Sequence, residues 1–408
     1  MKETKFTALN FNNNLLDGLS SMGFEKATPI QAQAIPEIAK GNDIIACAQT
    51  GTGKTAAFLL PVLDAIGKAP ISKHIDALII APTRELALQI DQQVDALGYF
   101  TGVTSLAIYG GTDGVEFVQQ KKALTKGADI IIATPGKLLS HLRLGYVKCN
   151  NLKYLILDEA DRMLDMGFHD DIMKIISFLP KERQTLLFSA TMPSKIRQLS
   201  KKLLKPKPVE ISIALGKTAE GVLQAAYHVY EKEKIRLIEN LLEGKKSYKS
   251  ILVFASTKSA VKSIAKSLVA KKFAADQIQS DLEQAEREIV LRKFKNRKIQ
   301  LLVATDIVSR GIDIDDISLI INYNVPAPED YVHRVGRTAR AENTGLAITL
   351  IDPDEDYKFK KVEQQIGKEV PKMRLPAGFS EVDLKQKKRS GGGKKWSGNK
   401  KGYHKKRR

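Results

Sequence analysis

Short apolar runs that end in a cluster of small, polar or charged residues recur along this chain, and that ending constrains the fold most. In the first half the runs are DIIACAQ (43–49), ALIIAPT (77–83), SLAIYGG (105–111), DIIIATPG (129–136), YLILDEAD (154–161) and TLLFSAT (185–191). Nearly all are too apolar for strands with one solvated face, so they fit strands covered on both faces. Longer helix-like stretches separate them. The alternation predicts an α/β fold with parallel sheets and crossover helices. In such sheets the ligand crevice lies at the carboxyl ends of the strands, where AQTGTGKT, APTREL, ATPG, DEAD and SAT are placed.

The rhythm returns in ILVFAST (251–257), IQLLVATD (299–306), LIINYNVP (319–326) and LAITLID (346–352), which predict a second sheet. A chain of 408 residues has room for two full cores. Between the halves, LLKPKPVEISIALGKTAEG (203–221) has the Pro spacing and the Gly, Ser and Thr content of a connector. The expected organisation is a first domain over residues 1–205, a linker over 206–220, a second domain over 221–370 and a tail over 371–408. Apolar periodicity stops near 370, and KQKKRSGGGKKWSGNKKGYHKKRR (385–408) is basic and low in complexity, a pattern that predicts disorder.

Charge narrows the partners. Sixty-five Lys and Arg against 46 Asp and Glu give +19, but twelve basic residues and no acid lie in 385–408, leaving +7 for residues 1–384. A polyanion such as nucleic acid is the first reading of that tail; the plain alternative is a solubilising extension. Trp396, Tyr403 and His404 among the cations add rings able to stack on unpaired bases. Two cysteines, Cys47 and Cys149, are too few for a disulfide framework or a cysteine zinc site, and they point to a reducing cytosol. The N-terminal stretch lacks an apolar signal core and no apolar run approaches about 18 residues, so a cytoplasmic protein without a membrane span is expected.

Three segments carry chemistry. Ala48, Gly51, Thr52, Gly53, Lys54 and Thr55 follow a strand and open a helical stretch, the context of a phosphate loop. The glycines let backbone N–H groups approach phosphates, Lys54 reaches the β- and γ-phosphates, and Thr55 ligates Mg²⁺. A tight strand-to-helix turn is the plain alternative. Asp158, Glu159 and Asp161 end the run YLIL: Asp158 suits a Mg²⁺ ligand and Glu159 a group that orients or deprotonates water, whereas a simple helix cap would use the same residues. YVHRVGRTAR (331–340) sets Arg334, Arg337 and Arg340 at spacing three, where they either meet one anion or form a solvated face.

Taken together, GFEKATPIQ (23–31), AQTGTGKT (48–55), PTRELA (82–87), TPGK (134–137), DEAD (158–161), SAT (189–191), ATDIVSRGID (304–313) and HRVGRTAR (333–340) resemble the ordered motifs of the DEAD-box RNA helicases, over roughly residues 6–370 and with the RhlE-like bacterial subgroup nearest. The resemblance implies two tandem RecA-like domains with mainly parallel sheets, ATP and Mg²⁺ as cofactors, and an RNA-dependent ATPase. It implies that Phe24 stacks on adenine, with Phe6 as the isolated upstream aromatic, and that Gln31 reads the base edge. Gly311 and Asp313 would help hold the ribose, and Arg337 and Arg340 would meet the γ-phosphate. Ser189 and Thr191, partnered by Asp161 and His333, would couple the domains. Taken singly, these residues also read as core aromatics, caps and a satisfied core histidine.

RNA-backbone contacts implied by the same resemblance fall on Thr83, Arg84, Gly111, Thr134, Gly136 and Lys137 in the first domain and on Thr257, Arg287 and Thr305 in the second. Small residues and backbone amides suit a sugar-phosphate track that reads no sequence. The chain departs from the family pattern at Ala27, Lys137, Gln279, Asn324 and Ala339. Lys137 stands where arginine is usual, keeping the charge but losing the bidentate fork. The expected activity is ATP-dependent separation of short duplexes and remodelling of RNA or ribonucleoprotein, with single-stranded and short duplex RNA as substrate, the ribosome or a ribonucleoprotein as partner, and a monomeric chain. The alternatives are an ATP-gated RNA clamp or assembly factor, and a DNA translocase.

Overall fold

The computed structural model describes residues 3–48, 51–69, 74–111, 114–213, 222–244, 248–305, 317–338 and 345–382. A short antiparallel pair, β1 (Thr4–Lys5) and β2 (Lys26–Ala27), ties down the N-terminal segment. The first body is then built on β3 (Ile44–Cys47), β4 (Ala77–Ile80), β5 (Ser105–Ile108), β6 (Ile130–Ala133), β7 (Tyr154–Leu157), β8 (Gln184–Ser189) and β9 (Val209–Ser212). They lie in the order β5-β6-β4-β7-β8-β3-β9, all parallel.

The second body carries β10 (Val222–His228), β11 (Ile251–Phe254), β12 (Ala275–Ile278), β13 (Leu301–Ala304), β14 (Leu319–Asn322) and β15 (Gly345–Ile351). Their order is β10-β15-β14-β11-β13-β12, again all parallel. Alternation explains the apolar runs: Ile44 and Ala46 pack into one apolar layer and Ile45 into the layer on the opposite face. In the second body, Leu252 and Phe254 face one layer and Ile251 and Val253 the other. With helices on both faces, every inner-strand residue is core, which is why these strands read as continuous apolar runs.

Two boundaries differ from expectation. Residues 209–212, expected within the linker 206–220, form β9, which pairs with β3 from Val209 opposite Ile44 to Ser212 opposite Cys47. Only Ile211 of the four is buried, so this edge strand carries little apolar signal. At the other end, packing continues beyond 370. Ala226 N–H donates to the Pro371 carbonyl (2.9 Å), Met373 N–H donates to the Ala226 carbonyl (2.7 Å), and the Arg236 guanidinium lies 4.7 Å from the Phe379 ring centroid. The expected start of the tail at 371 is therefore too early, and the basic stretch 385–408 lies outside the described residues. No described helix is long and apolar enough to cross a membrane.

Sheet order sorts the candidate residues. Read along the carboxyl edge of the first sheet, the ends of β5, β6 and β4 lead into Gly111, Thr134 to Lys137, and Thr83 with Arg84. The ends of β7, β8 and β3 lead into Asp158 to Asp161, Ser189 to Thr191, and the phosphate loop. The two candidate sets thus occupy adjacent halves of one edge, meeting between β4 and β7.

Candidate functional site

The phosphate loop leaves β3 at Ala48, whose N–H donates to the Ser189 carbonyl of neighbouring β8 (3.1 Å). Gly51 and Gly53 have φ of 79° and 87°, a left-handed backbone that glycine adopts without steric cost. Gly53 is the N-cap of the helix Lys54–Gly67, so the free N–H groups of its first turn face the loop. Lys54 is buried and its Nζ donates to the Ala48 carbonyl (2.6 Å), folding the side chain back across the loop it must serve. Thr55, on the same first turn, is half-buried; Thr52 lies in the loop itself.

Two strands away, Asp158 N–H donates to the Ile80 carbonyl (3.0 Å) at the end of β7, and the Asp158 carboxylate accepts the Glu159 N–H (2.9 Å). Burial pushes the Asp158 carboxyl up to about 7; Lys54 pulls it back, while Glu159 and Asp161 add to the rise. Glu159 is buried with φ 50° and ψ 51°, a conformation unusual for a residue with a side chain and one found at functional sites. One turn on, the buried Arg162 brings its Nε to 3.9 Å from the Glu159 carboxylate. Sequence reasoning missed Arg162; its three-residue spacing from Glu159 on a helix was the available signal.

Asp161 joins the carboxylate segment to the end of β8. Its Oδ2 accepts the N–H groups of Ala190 (3.2 Å) and Thr191 (2.9 Å) and the Thr191 hydroxyl (2.9 Å). The Ser189 hydroxyl donates to the Thr191 carbonyl (2.7 Å). Asp161, Ser189 and Thr191 are thus brought together, while the side chain of His333, their expected partner, lies outside the described residues.

On the far side of the loop, Phe24 is part-exposed and packs edge-on against buried Phe6, ring centroids 6.2 Å apart. Gln31 is buried. Its Oε1 accepts the Thr28 N–H (2.8 Å) and its Nε2 donates to the Gly53 carbonyl (3.1 Å). The Phe24–Gln31 segment and the phosphate loop are therefore mechanically linked.

The other half of the edge is open. Thr83 caps the helix Arg84–Gly98, its hydroxyl accepting the Leu86 N–H (3.3 Å), and Thr257 in the second body repeats the arrangement with the Ala260 N–H (3.1 Å). Both hydroxyls keep an O–H to donate. The Arg84 guanidinium lies 4.4 Å from the Tyr109 ring centroid. Gly111 has φ 80°. Thr134 N-caps the helix Pro135–Arg143, where exposed Gly136 has open space beside it and Lys137 follows.

In the second body Thr305 follows β13 and is half-buried. Arg287 Nε donates to the Leu282 carbonyl (3.0 Å) and its Nη2 to the Ser280 carbonyl (2.8 Å), so its guanidinium braces the turn after β12. Of the three arginines at spacing three, Arg334 is turned into the core. Arg334 is buried, bonds the Asn322 carboxamide oxygen (2.9 Å) and covers the Phe254 ring, because the helix Pro328–Val335 turns that face toward the sheet. Arg337 lies past the end of that helix, also buried, its N–H on the Arg334 carbonyl (3.1 Å). Gly311, Asp313 and Arg340 lie outside the described residues.

Comparison with known proteins identifies the family. The DEAD/DEAH box helicase family matches residues 28–199, and the helicase conserved C-terminal domain matches residues 233–342. The chain is 42% identical over 373 residues to the DEAD-box ATP-dependent RNA helicase CshA of Bacillus subtilis, covering 91% of this chain and 74% of that protein; this relative carries the name CshA where the sequence suggested an RhlE-like subgroup. Among solved structures, S. cerevisiae Dbp5 bound to RNA and ADP BeF3 superposes with a TM-score of 0.81 at 30% identity, covering 90% of this chain and 95% of that one. Mss116p, lacking its NTE and C-tail and bound to ssRNA and AMP-PNP, gives 0.82 at 27% identity, covering 91% and 79%. The two parallel-sheet bodies match RecA-like helicase structures, and the chain belongs to the DEAD-box family of ATP-dependent RNA helicases.

Proposed function

We propose that the two halves of the carboxyl edge divide the work, with ATP held at the ends of β3, β7 and β8 and the RNA backbone tracked along the ends of β4, β5 and β6. The observation that supports this reading is the strand order: the phosphate-loop, DEAD and SAT segments follow β3, β7 and β8, and the first-body RNA candidates follow β4, β5 and β6, on the two sides of the β4/β7 junction. Dbp5 and Mss116p, whose structures hold RNA together with ADP BeF3 or AMP-PNP, support it.

Within the nucleotide half, Lys54 holds the β- and γ-phosphates, Gly51 to Gly53 present amides, and Phe24 and Gln31 flank the base. Thr55 and Asp158 offer a hydroxyl and a carboxylate, the hard oxygen donors that suit Mg²⁺, and such an ion supplies charge neutralisation at the phosphates. Glu159, fixed by its backbone and by Arg162, orients or deprotonates the attacking water. Arg337, with Arg340, completes the phosphate contacts from the second body, and Gly311 and Asp313 hold the ribose. Asp161, Ser189, Thr191 and His333 transmit the nucleotide state between bodies.

In the RNA half, Thr83, Arg84, Gly111, Thr134, Gly136 and Lys137, joined by Thr257, Arg287 and Thr305, grip a single strand through its backbone. ATP and RNA together stabilise the bodies in contact, local strand separation follows, and hydrolysis resets the cycle. A single chain supplies both halves and so works as a monomer, in the cytoplasm, on RNA or ribonucleoprotein. ATP turnover measured with no nucleic acid, with RNA and with DNA of matched length tests this. Stimulation by RNA alone is expected, and equal stimulation by DNA overturns the RNA assignment. Long-lived ATP-dependent RNA binding without unwinding of a short duplex would identify a clamp instead.

A further inference from the structure

Lys137 is the point at which this chain gives up the arginine fork, and the structure surrounds it with a support that belongs to no motif. Its Nζ lies 4.7 Å from the ring centroid of Phe117, on the neighbouring helix Gly114–Lys126. The same ring stacks on His141, centroids 4.6 Å apart and planes 12° from parallel. His141 stands one turn after Lys137, so both meet Phe117 from one helix face. His141 is fully buried and is itself pinned: one ring nitrogen meets the Gln120 Oε1 (3.1 Å) and the other the Tyr146 hydroxyl. The Gln120 side chain and the Tyr146 hydroxyl thus hold the imidazole plane from its two ring nitrogens. Burial first, and then Lys137 nearby, lowers the imidazole to about 4, which favours its neutral form at neutral pH.

We infer that Phe117, backed by the stacked ring of His141, is a positioning residue that aims the Lys137 ammonium at the RNA backbone. An ammonium on a flexible four-carbon stem gains direction from an aromatic face, which replaces the orientation that a planar guanidinium gets from its own two-pronged hydrogen bonding. The inference rests on the reading of Lys137 as an RNA contact.

The test is a double-mutant cycle on the full chain, using a short unstructured oligouridylate and reading ATP turnover against RNA concentration. Phe117→Leu is expected to raise the half-saturating RNA concentration about three- to five-fold while turnover at saturating RNA is retained. Phe117→Tyr, which keeps the ring, is expected to stay near the parent. On a Lys137→Ala background, Phe117→Leu should add nothing. Equal weakening on both backgrounds, or none on the parent, overturns the inference. If Lys137→Ala alone leaves RNA affinity intact, the RNA reading of Lys137 has failed instead. Thermal unfolding accompanies each variant, and if the leucine variant does not fold, the same cycle is read with Phe117→Met.

Discussion

Arg84 and Glu288 meet across the two bodies, guanidinium Nη2 to carboxylate Oε1 at 2.7 Å. Arg84 opens the helix after β4 and Glu288 follows Arg287 on the helix Gln284–Lys295, so the pair ties together the two segments proposed to face RNA. Arg84 is mostly covered and lies over Tyr109, whereas Glu288 is 53% exposed. A pair of this kind is worth roughly 0.2–1 kcal/mol. Glu288→Gln is therefore expected to raise the RNA concentration for half-maximal ATPase about two- to five-fold, with the difference shrinking at high salt. Tighter RNA binding by the variant would mean that Glu288 competes with phosphate for Arg84.

Gly53 is more tightly specified than its place in a glycine loop demands. Its φ of 87° is strained for any residue with a side chain, and an added Cβ would lie 2.4 Å from the Gln31 Nε2. Gly53→Ala should raise the KM for ATP at least about five-fold, since the backbone penalty alone is about 1–2 kcal/mol. Gln31→Ala in the same chain should recover only the part due to the side-chain collision. Full recovery would show that the left-handed backbone is not needed.

How much of this was legible beforehand depended on what surrounds each residue. The inner strands announced themselves because both their faces are buried, as in Ile44 to Cys47 and Leu301 to Ala304. The edge strands β9, β10 and β12 did not: Glu210 and Leu223 face solvent on strands that are half covered at most. The family was legible because its motifs put particular residue types in a fixed sequence order. Arg162, Glu288, Phe117 and His141 were not, because their partners come from elements that only folding brings together. Arg334 shows the opposite error, since its spacing matched Arg337 but the helix turns it onto Phe254.

Glu159 offers the sharpest separation of binding from chemistry. Its side chain is held by a left-handed backbone at the N-cap of the helix Ala160–Asp165 and sits beside Arg162. Replacing the carboxylate by an amide preserves shape but removes the proposed base. Glu159→Gln is expected to lower RNA-stimulated turnover about 10²- to 10⁴-fold while ATP and RNA affinities stay within a few-fold. Retained turnover in single-cycle measurements would exclude Glu159 as the group that handles the water's proton.

His141 makes stability depend on pH in a direction its surroundings fix. Lys137 approaches from its own helix, Phe117, Gln120 and Lys121 belong to the neighbouring helix, and Tyr146 caps the ring; among these charged neighbours both are cations. Burial first, and then Lys137, lowers His141 from 6.5 to about 4. Between those values the unfolded chain binds a proton that the folded chain refuses, so the contribution is complete above pH 6.5 and is lost as pH falls toward 4. At pH 5 the loss amounts to about 2 kcal/mol. Denaturant unfolding of the parent and of His141→Gln at pH 7 and pH 5 isolates this group, because every other acid-sensitive side chain is common to both. The variant should lose less stability than the parent on acidification, by about that amount. Parallel losses would place a proton on His141 in the fold, and the ring beneath Lys137 would then be flanked by two charges of the same sign.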